Sequence, residues 1–306
     1  MHLEARRLAR PLCLVVAVAA LAAIDCGGKV VVDGDPNAVG DQVSSATATT
    51  GTGMGGAGGT TSTSTSGGAG GVELDAGTDA PPPPPPVAVY AHSAATLYLL
   101  DPGSKAVSVV GDFKGCSGVI DIAVDKTGAI FGTTSSALYR IDAKTAACDF
   151  VSSGSYPNSL SFVPQGTLDP DKEALVGYLG SFYERIDPET GVMSKVGDLG
   201  GGFASSGDLF SLIGGGTYLT VANNGCGDCL VQVDPSTGKM SAMIGKLPYG
   251  QVWGLAYWGG VAYGFTSGGL LFQIKLDNAA TSPIPILSAP PGLAFWGAGS
   301  STAAMQ

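Results

Sequence analysis

Two aspartates, Asp121 and Asp208, lie in short apolar stretches whose alternation predicts β-strands. Glycoside hydrolysis needs two carboxyl groups, one acting as an acid and the other as a base or nucleophile. Two such side chains on strands that reach the same cleft could perform it, so Asp121 and Asp208 are candidate catalytic residues. The structural alternative, which we favour, is that both carboxylates accept hydrogen bonds from backbone amides nearby.

Trp253, Tyr257, Trp258 and Trp296 lie in two stretches that carry the same strand signal. The face of an aromatic ring can stack on a sugar ring or on an apolar group of a ligand. These four residues are therefore the candidate ligand-binding set. Because side chains alternate between the two faces of a strand, about half of the aromatic residues are expected in the core instead.

The sequence contains two histidines, His2 near the amino terminus and His92 at the end of a predicted strand. A nucleophilic triad built on histidine would have only His92 to use, and no Gly-x-Ser-x-Gly motif is present. This argues against hydrolases of that class. We expect His92 to lie at the surface.

A Cys-Gly-Asp-Cys motif at 226–229 predicts a local disulfide between Cys226 and Cys229. Its two thiols are too few for a zinc site, and no further cysteine pair or histidine stands at ligand spacing, so no metal or cofactor is expected. Cys116 and Cys148 are the remaining candidate pair. The strand layout places them on opposite faces, so this bridge requires the connection before Gly118 to fold across its sheet.

A phrase of alternating residues that usually ends in Asp returns about every 41 to 47 residues along the chain. A period of this length, built from short β-signals, is typical of β-propeller blades, each of which is a four-stranded sheet. The copies are Leu97–Asp101, Leu138–Asp142, Tyr183–Asp187 and Leu230–Asp234, with a degenerate copy at Leu271–Lys275.

The aspartates that end these phrases are followed by turn residues, as in Asp-Pro-Glu-Thr-Gly at 187–191. Asp accepts hydrogen bonds from amides just downstream, Pro presets the first turn angle, and Gly takes a positive φ. We therefore predict a structural role for this set, which comprises Asp101, Asp142, Asp187 and Asp234.

The two ends of the repeat region complement each other. Val87–His92 matches the second strand of a repeat, and Gly292–Trp296 matches the first strand, so the two segments are expected to complete one blade. The other blades are predicted to begin near Gly118, Ser159, Gly207 and Gln251. The predicted fold is therefore all-β, a five-bladed β-propeller with four-stranded blades and a closing blade shared by both termini of the head.

In its Leu-Tyr-x-Ile-Asp and Asp-x-x-Gly-x-Ile-Phe-Gly phrases, the chain resembles the five-bladed propeller heads of repeat lipoproteins on bacterial surfaces. The resemblance covers about two thirds of the chain and implies the fold rather than an activity. Glycosidases with this fold use three carboxylates on the first strands of their blades. The corresponding positions beyond Asp121 and Asp208 hold Ser161, Ala256 and Ala294, so the third carboxylate is missing here.

The amino terminus has the pattern of an export signal, with arginines at positions 6, 7 and 10 and an apolar run from Leu12 to Ile24. Residues 1–25 are therefore predicted to be a lipoprotein-like signal peptide. The segment before Cys26 resembles the lipobox of bacterial lipoproteins, which implies a lipid on Cys26 and an outer-membrane anchor facing the exterior or the periplasm. Ordinary secretion is the alternative.

Residues 26–86 are dominated by Gly, Ser, Thr, Ala and Pro, which offer too little apolar surface to offset the entropy of ordering. We expect a disordered linker that ends in a stiff polyproline spacer at Pro81–Pro86. The head is then 87–306.

A net charge of −10 and the absence of a basic cluster after the amino terminus argue against a nucleic-acid partner. The expected function is a non-enzymatic, surface-displayed binding module, with a glycan or a protein as ligand and the membrane as partner through Cys26. A carbohydrate-active enzyme that uses channel carboxylates and a structural envelope component are the alternatives. We expect a monomer.

Overall fold

Twenty β-strands make up the regular structure of the protein within residues 88–223 and 225–304, the ranges that this computed structural model describes. In these ranges no helix combines the length and the apolar character needed to cross a membrane. The strands are β1 (Val89–His92), β2 (Thr96–Leu100), β3 (Val107–Asp112), β4 (Asp121–Val124), β5 (Ile130–Thr133), β6 (Ala137–Ile141), β7 (Cys148–Ser153), β8 (Leu160–Val163), β9 (Ala174–Leu179), β10 (Phe182–Ile186), β11 (Met193–Asp198), β12 (Ala204–Ser211), β13 (Thr217–Asn223), β14 (Cys226–Val233), β15 (Met240–Lys246), β16 (Val252–Trp258), β17 (Val261–Thr266), β18 (Leu271–Ile274), β19 (Thr281–Ile284) and β20 (Gly297–Ser300).

The predicted signal segment 1–25, the lipidation site Cys26 and the linker 26–86 lie outside the described residues. Their roles stay predictions. All twenty strands belong to the head.

The strands pair into five antiparallel sheets of four strands, which we call blades 1 to 5. Blade 1 has the order β20-β1-β2-β3, and blades 2, 3, 4 and 5 consist of β4–β7, β8–β11, β12–β15 and β16–β19. The innermost strands β20, β4, β8, β12 and β16 contact one another in this order around a central axis. The prediction of an all-β, five-bladed propeller with four-stranded blades is confirmed.

Apolar side chains that alternate along the strands fill the space between neighbouring blades. Five separate core clusters result, one for each neighbouring pair. Between blades 2 and 3, for example, the ring centroids of Phe131 and Phe162 lie 5.8 Å apart. Between blades 5 and 1, Phe265 packs against Phe295 at 5.1 Å. Burial of one such side chain stabilises the fold by about 1.5–3 kcal/mol, so the cluster between blades 5 and 1 contributes to closing the ring.

The closing blade contains strands from both ends of the head, as predicted, but the strand assigned to the carboxyl-terminal side was wrong. β1 pairs with β20, with Val89 opposite Ser300 and His92 opposite Gly297. The predicted strand at Gly292–Trp296 is instead irregular chain that leads into β20.

The reason for this shift is space near the channel axis. A Cβ atom on Gly297 would overlap the side chains of both Asp121 and His92, and one on Gly299 would press on Val124. The innermost position of blade 1 therefore accepts the small residues of β20 but not the aromatic residues of the preceding segment. Alternation of large apolar residues, the usual strand signal, is absent from such a strand.

The repeated aspartates occupy the turns between the third and fourth strands of blades 1 to 4, as predicted. In blade 3 the Asp187 carboxylate accepts hydrogen bonds from the N–H groups of Glu189 and Thr190, at 3.0 and 2.9 Å. Gly191 follows with a φ of +70°, which glycine adopts without strain. Hydrogen bonds of this kind, led by the one from Thr190, lower the pKa of Asp187.

Candidate functional site

A pocket of about 220 Å³ lies at the end of the ring where the innermost strands begin. We call it the mouth pocket. Every blade contributes at least one residue from the start of its innermost strand or from the segment just before it. The lining residues are Ile120, Asn158, Ser206, Gly207, Trp253 and Trp296.

Two of the four aromatic residues predicted to bind a ligand, Trp253 and Trp296, line this pocket. Their rings meet edge to face, with centroids 6.0 Å apart and an interplanar angle of 84°. Trp296 is 39% exposed, which is high for so large an apolar side chain. In an edge-to-face pair only one ring face is covered by the partner, so indole surface remains for a ligand.

The other two predicted residues, Tyr257 and Trp258, lie at the opposite end of β16 and belong to the core between blades. Tyr257 is buried and stacks on Phe210 of blade 4, with centroids 5.8 Å apart. Trp258 packs against the clusters on both sides of blade 5. Four or five residues of strand separate them from Trp253, about 13 Å or more along the strand. They do not line the mouth pocket.

Asp121 and Asp208 directly follow the pocket residues Ile120 and Gly207, yet both side chains are completely buried beneath it. The Asp121 carboxylate accepts hydrogen bonds from the N–H groups of Ile122, at 2.8 Å, and of Leu160 in blade 3, at 2.6 Å.

The Asp208 carboxylate accepts three backbone hydrogen bonds. They come from Leu209 at 2.6 Å, from Leu255 of blade 5 at 2.7 Å and from Ala298 of blade 1 at 3.3 Å. Together the two aspartates link the innermost strands of blades 2 and 3 and of blades 4, 5 and 1. Their placement matches the structural alternative, in which backbone amides are the partners.

The two carboxyl groups also act on each other. Burial raises the pKa of Asp121 well above its usual range, and the charge of neighbouring Asp208 raises it further. Burial likewise raises the pKa of Asp208, against the opposing effect of its backbone hydrogen bonds. Among the described residues, neither carboxyl group forms an ion pair. Each carboxyl group therefore keeps its proton to a higher pH than an exposed aspartate does.

His92, expected at the surface, is completely buried beside this pair, so that expectation was wrong. Its Nδ1 donates a hydrogen bond to the carbonyl of Ser93 at 2.9 Å, and its Nε2 has no hydrogen-bond partner. Nε2 and Asp121 Oδ1 lie on the same side of Gly297, since a Cβ at Gly297 would overlap both. Burial lowers the pKa of His92 to about 4, which keeps the ring neutral at pH 7.

Both cysteine pairs are joined in the structure, with Cα atoms 5.7 Å apart for Cys116–Cys148 and 5.9 Å apart for Cys226–Cys229. The Cys116–Cys148 bridge was expected only if the connection before Gly118 folds across its sheet, and the structure meets this condition. The connection before β4 runs beside the edge strand β7, where the carbonyl of Lys114 accepts a hydrogen bond from the N–H of Cys148 at 2.7 Å. This brings the two thiols together.

Four lining residues, Ile120, Asn158, Ser206 and Gly207, were not among the candidate site residues. Each lies within three residues of a predicted blade start, so position in the repeat was the available signal. Within 88–223 and 225–304, no group of three or more His, Cys, Asp or Glu side chains could hold a metal ion.

No protein-family model and no curated protein sequence matches this chain. Among solved structures, it is similar to a chain of a nidogen/laminin complex, with 9% sequence identity and a TM-score of 0.41, over 69% of this chain and 82% of that chain. It is also similar to a protein of unknown function from Bacteroides caccae, with 12% identity and a TM-score of 0.36, over 64% and 72% of the respective chains. Likeness at this level carries no functional argument, and the propeller architecture rests on the strand pairing itself.

Proposed function

We propose that the head is a non-enzymatic binding module whose ligand enters the mouth pocket. The observation that carries this proposal is the convergence of five blades on one concavity that displays Trp253 and Trp296. Pockets with apolar aromatic walls and a few polar groups are typical ligand sites. A purely structural component has no need for a partly exposed indole at this place.

The size and chemistry of the pocket favour one sugar unit as the ligand. A volume of about 220 Å³ is below the range of roughly 300–1,000 Å³ that holds drug-sized ligands, so a single ring with its substituents fits best. The apolar face of a pyranose can stack on an indole, while its hydroxyls bond the side chains of Asn158 and Ser206. The terminal unit of a glycan has both features.

The enzymatic alternative is supported less well by the same geometry. A glycosidase must bring two carboxyl groups to the bond that it cleaves. Asp121 and Asp208 have no exposed surface, and both oxygens of each already accept backbone hydrogen bonds. They would have to leave those bonds before they could reach a ligand.

Display of the head at the cell envelope is part of the proposal and rests on the sequence alone. A signal at 1–25, a lipid on Cys26 and a linker at 26–86 would together hold the head away from an outer membrane. Secretion without a lipid would leave the binding function of the head unchanged.

The test is titration of the full chain with methyl glycosides of neutral hexoses, followed by tryptophan fluorescence and calorimetry. Trp296→Ala should weaken binding at least tenfold, because it removes one stacking wall. Phe150→Ala is the matched control, since Phe150 is 64% exposed on the outer strand of blade 2, away from the pocket. If no glycoside binds, or if both variants bind as the wild type does, the proposed function is wrong.

A further inference from the structure

We propose that Asp228 determines the specificity of the mouth pocket through Ser206, so that the ligand must donate a hydrogen bond there and must carry no negative charge. This inference rests on the proposed function of the pocket. It gives a role to the Cys-Gly-Asp-Cys motif, which the binding proposal leaves unexplained.

The hydrogen bond between Ser206 and Asp228 fixes the direction of the serine O–H group. Ser206 lines the pocket, and its hydroxyl donates a hydrogen bond of 2.7 Å to Asp228 Oδ1. An ionised carboxylate can only accept, and serine has a single O–H. The proton of Ser206 is therefore committed to Asp228, and the oxygen offers the pocket lone pairs. A ligand hydroxyl or amine can donate to it, whereas a ligand group that only accepts cannot bond there.

A bulge in β14, closed by a disulfide, sets the position of Asp228. Between its pairings with Val221 and Asn223, β14 runs from Cys229 to Cys226 and so contains one residue more than its partner strand. Such a bulge redirects a side chain. Three extended residues would span about 10 Å, but the Cα atoms of the two cysteines lie 5.9 Å apart, and their disulfide closes the bulge around Asp228.

Contacts with three neighbouring elements then fix the carboxyl group at this position. The carbonyl oxygen of Asp228 accepts a hydrogen bond from the N–H of Leu247 at 2.9 Å. Its Oδ2 accepts one from the N–H of Val252, next to the pocket residue Trp253, at 3.4 Å. With β12 holding Ser206, Asp228 is held from three sides, and the contacts from Ser206 and Val252 reach its carboxylate directly.

Asp228 also places a negative charge next to the pocket residue Ser206. Asp228 is 7% exposed and forms no ion pair among the described residues, so its negative charge is only weakly screened. Burial raises its pKa, and the hydrogen bond from Ser206 opposes that shift by stabilising the ionised form. An anionic ligand in the pocket would meet this charge across one serine, whereas a neutral or cationic ligand would not be repelled.

The experiment compares the full chain with four variants, Asp228→Asn, Asp228→Ala, Ser206→Ala and the last two combined. The three probes are methyl glycosides of neutral hexoses, the matching amino sugars and the matching uronic acids. The wild type should bind the uronic acids at least tenfold more weakly than the neutral glycosides. Asp228→Asn keeps an acceptor for Ser206 but removes the charge. It should bring the uronic acids to within about threefold of the neutral glycosides and leave the latter almost unchanged.

Asp228→Ala removes the acceptor as well and should weaken the binding of neutral glycosides about tenfold. In a Ser206→Ala background the same substitution should have almost no further effect, because the two residues act as one unit. Urea unfolding of each variant identifies any loss of binding that comes from loss of fold.

The outcomes separate the two proposals. If the wild type binds neutral glycosides but Asp228→Asn discriminates against uronic acids as strongly as the wild type does, the assignment of Asp228 is wrong while the binding function stands. Full additivity of Asp228→Ala and Ser206→Ala would overturn the coupling between them. If the wild type binds none of the probes, the proposed function fails and this inference fails with it.

Discussion

The two kinds of aspartate in the head show how one side chain can serve opposite electrostatic conditions. Asp121 and Asp208 are completely buried on the channel axis, and burial raises the pKa of both. Asp187 and Asp234 lie in solvent-facing turns, and hydrogen bonds from neighbouring residues lower the pKa of both. Both kinds bind backbone N–H groups, so the difference comes from desolvation and from the second buried carboxyl group.

This contrast shows that hydrogen bonding to the backbone does not by itself identify an ionised carboxylate. In a turn, water adds to the stabilisation of the charge that the amides provide. On the axis the same amides only partly offset the loss of water, and the pKa of each carboxyl group is raised. The axial pair therefore ties strands together, while each turn aspartate shapes one hairpin.

The largest effect is expected from removal of an axial carboxyl group. Asp208→Ala leaves the buried N–H groups of Leu209, Leu255 and Ala298 without an acceptor, so the free energy of unfolding should fall by about 3 kcal/mol or more. Equilibrium unfolding in urea at pH 7 measures this.

Asp208→Asn is the matched control, because its side-chain oxygen can still accept from at least one of these amides. It should lose clearly less stability than Asp208→Ala. If the alanine variant unfolded at the same urea concentration as the wild type, the axial pair would not hold the blades together.

The next largest effect is the loss of stability in acid that comes from protonation of His92. The pKa of His92 is near 4 in the folded protein, below its ordinary value of about 6.5, so the unfolded chain binds the proton more readily. The stability that comes from keeping His92 neutral in the folded protein is present above about pH 6.5. It is lost as the pH falls towards 4, by roughly 3 kcal/mol at full extent.

His92→Asn removes this titration, so unfolding free energies measured between pH 7 and 4 should decline less steeply than in the wild type. The slope is the readout, because the absolute stability of the variant also reflects the lost packing. An unchanged slope would mean that His92 is protonated as easily in the fold as in the unfolded chain.

The axial pair predicts a pH dependence of the opposite sign. A raised pKa means that the folded state holds a proton that the unfolded chain has released, so stability is highest below the ordinary pKa of about 3.9 and is lost as the pH rises through the raised value. Asp121→Asn should flatten this decline by up to about 1.4 kcal/mol per pH unit. Urea unfolding at intervals above pH 4 tests it, and a steeper decline would contradict the assignment.

The smallest effect is expected at a turn. Asp187→Ala removes the acceptor for the amides of Glu189 and Thr190, but water can replace it at this exposed site, so the Tm should fall by only a few degrees. The lowered pKa of Asp187 gives stability that is present above its ordinary pKa and is lost as the pH falls through the folded value. Thermal unfolding at pH 7 and at pH 3 should therefore show a smaller difference from the wild type at pH 3.

Regular features of the fold could be predicted because they repeat. Alternation, the turn aspartates and the spacing of the phrases indicated four-stranded blades, their number and the sharing of one blade by both ends. The strand prediction was wrong where the chain passes close to the central axis of the propeller. β20 has small residues because Gly297 faces two buried side chains, and no pattern of apolar residues marks such a strand.

The candidate site was predictable only in part, for a related reason. Trp253 and Trp258 lie in the same apolar stretch, and their positions at opposite ends of β16 decide which one meets the pocket. His92 also ends a strand, but the end of β1 lies against Gly297 rather than in water. Whether these side chains meet the pocket or the core depends on how far each lies from the central axis and from the ends of the ring. The order of apolar and polar residues along the sequence does not contain this information.

The pairing of β1 with β20 has a consequence for the protein during its synthesis. Of the described strands, β1 leaves the ribosome first and its partner β20 leaves last. Until β20 emerges, the inner edge of β1 and the flank of blade 5 have no permanent neighbour. The incomplete head is therefore open to proteases and to pairing with other chains until β20 has been synthesised and has paired with β1. Loss of β20 would leave four complete blades and one blade of three strands with an open inner edge.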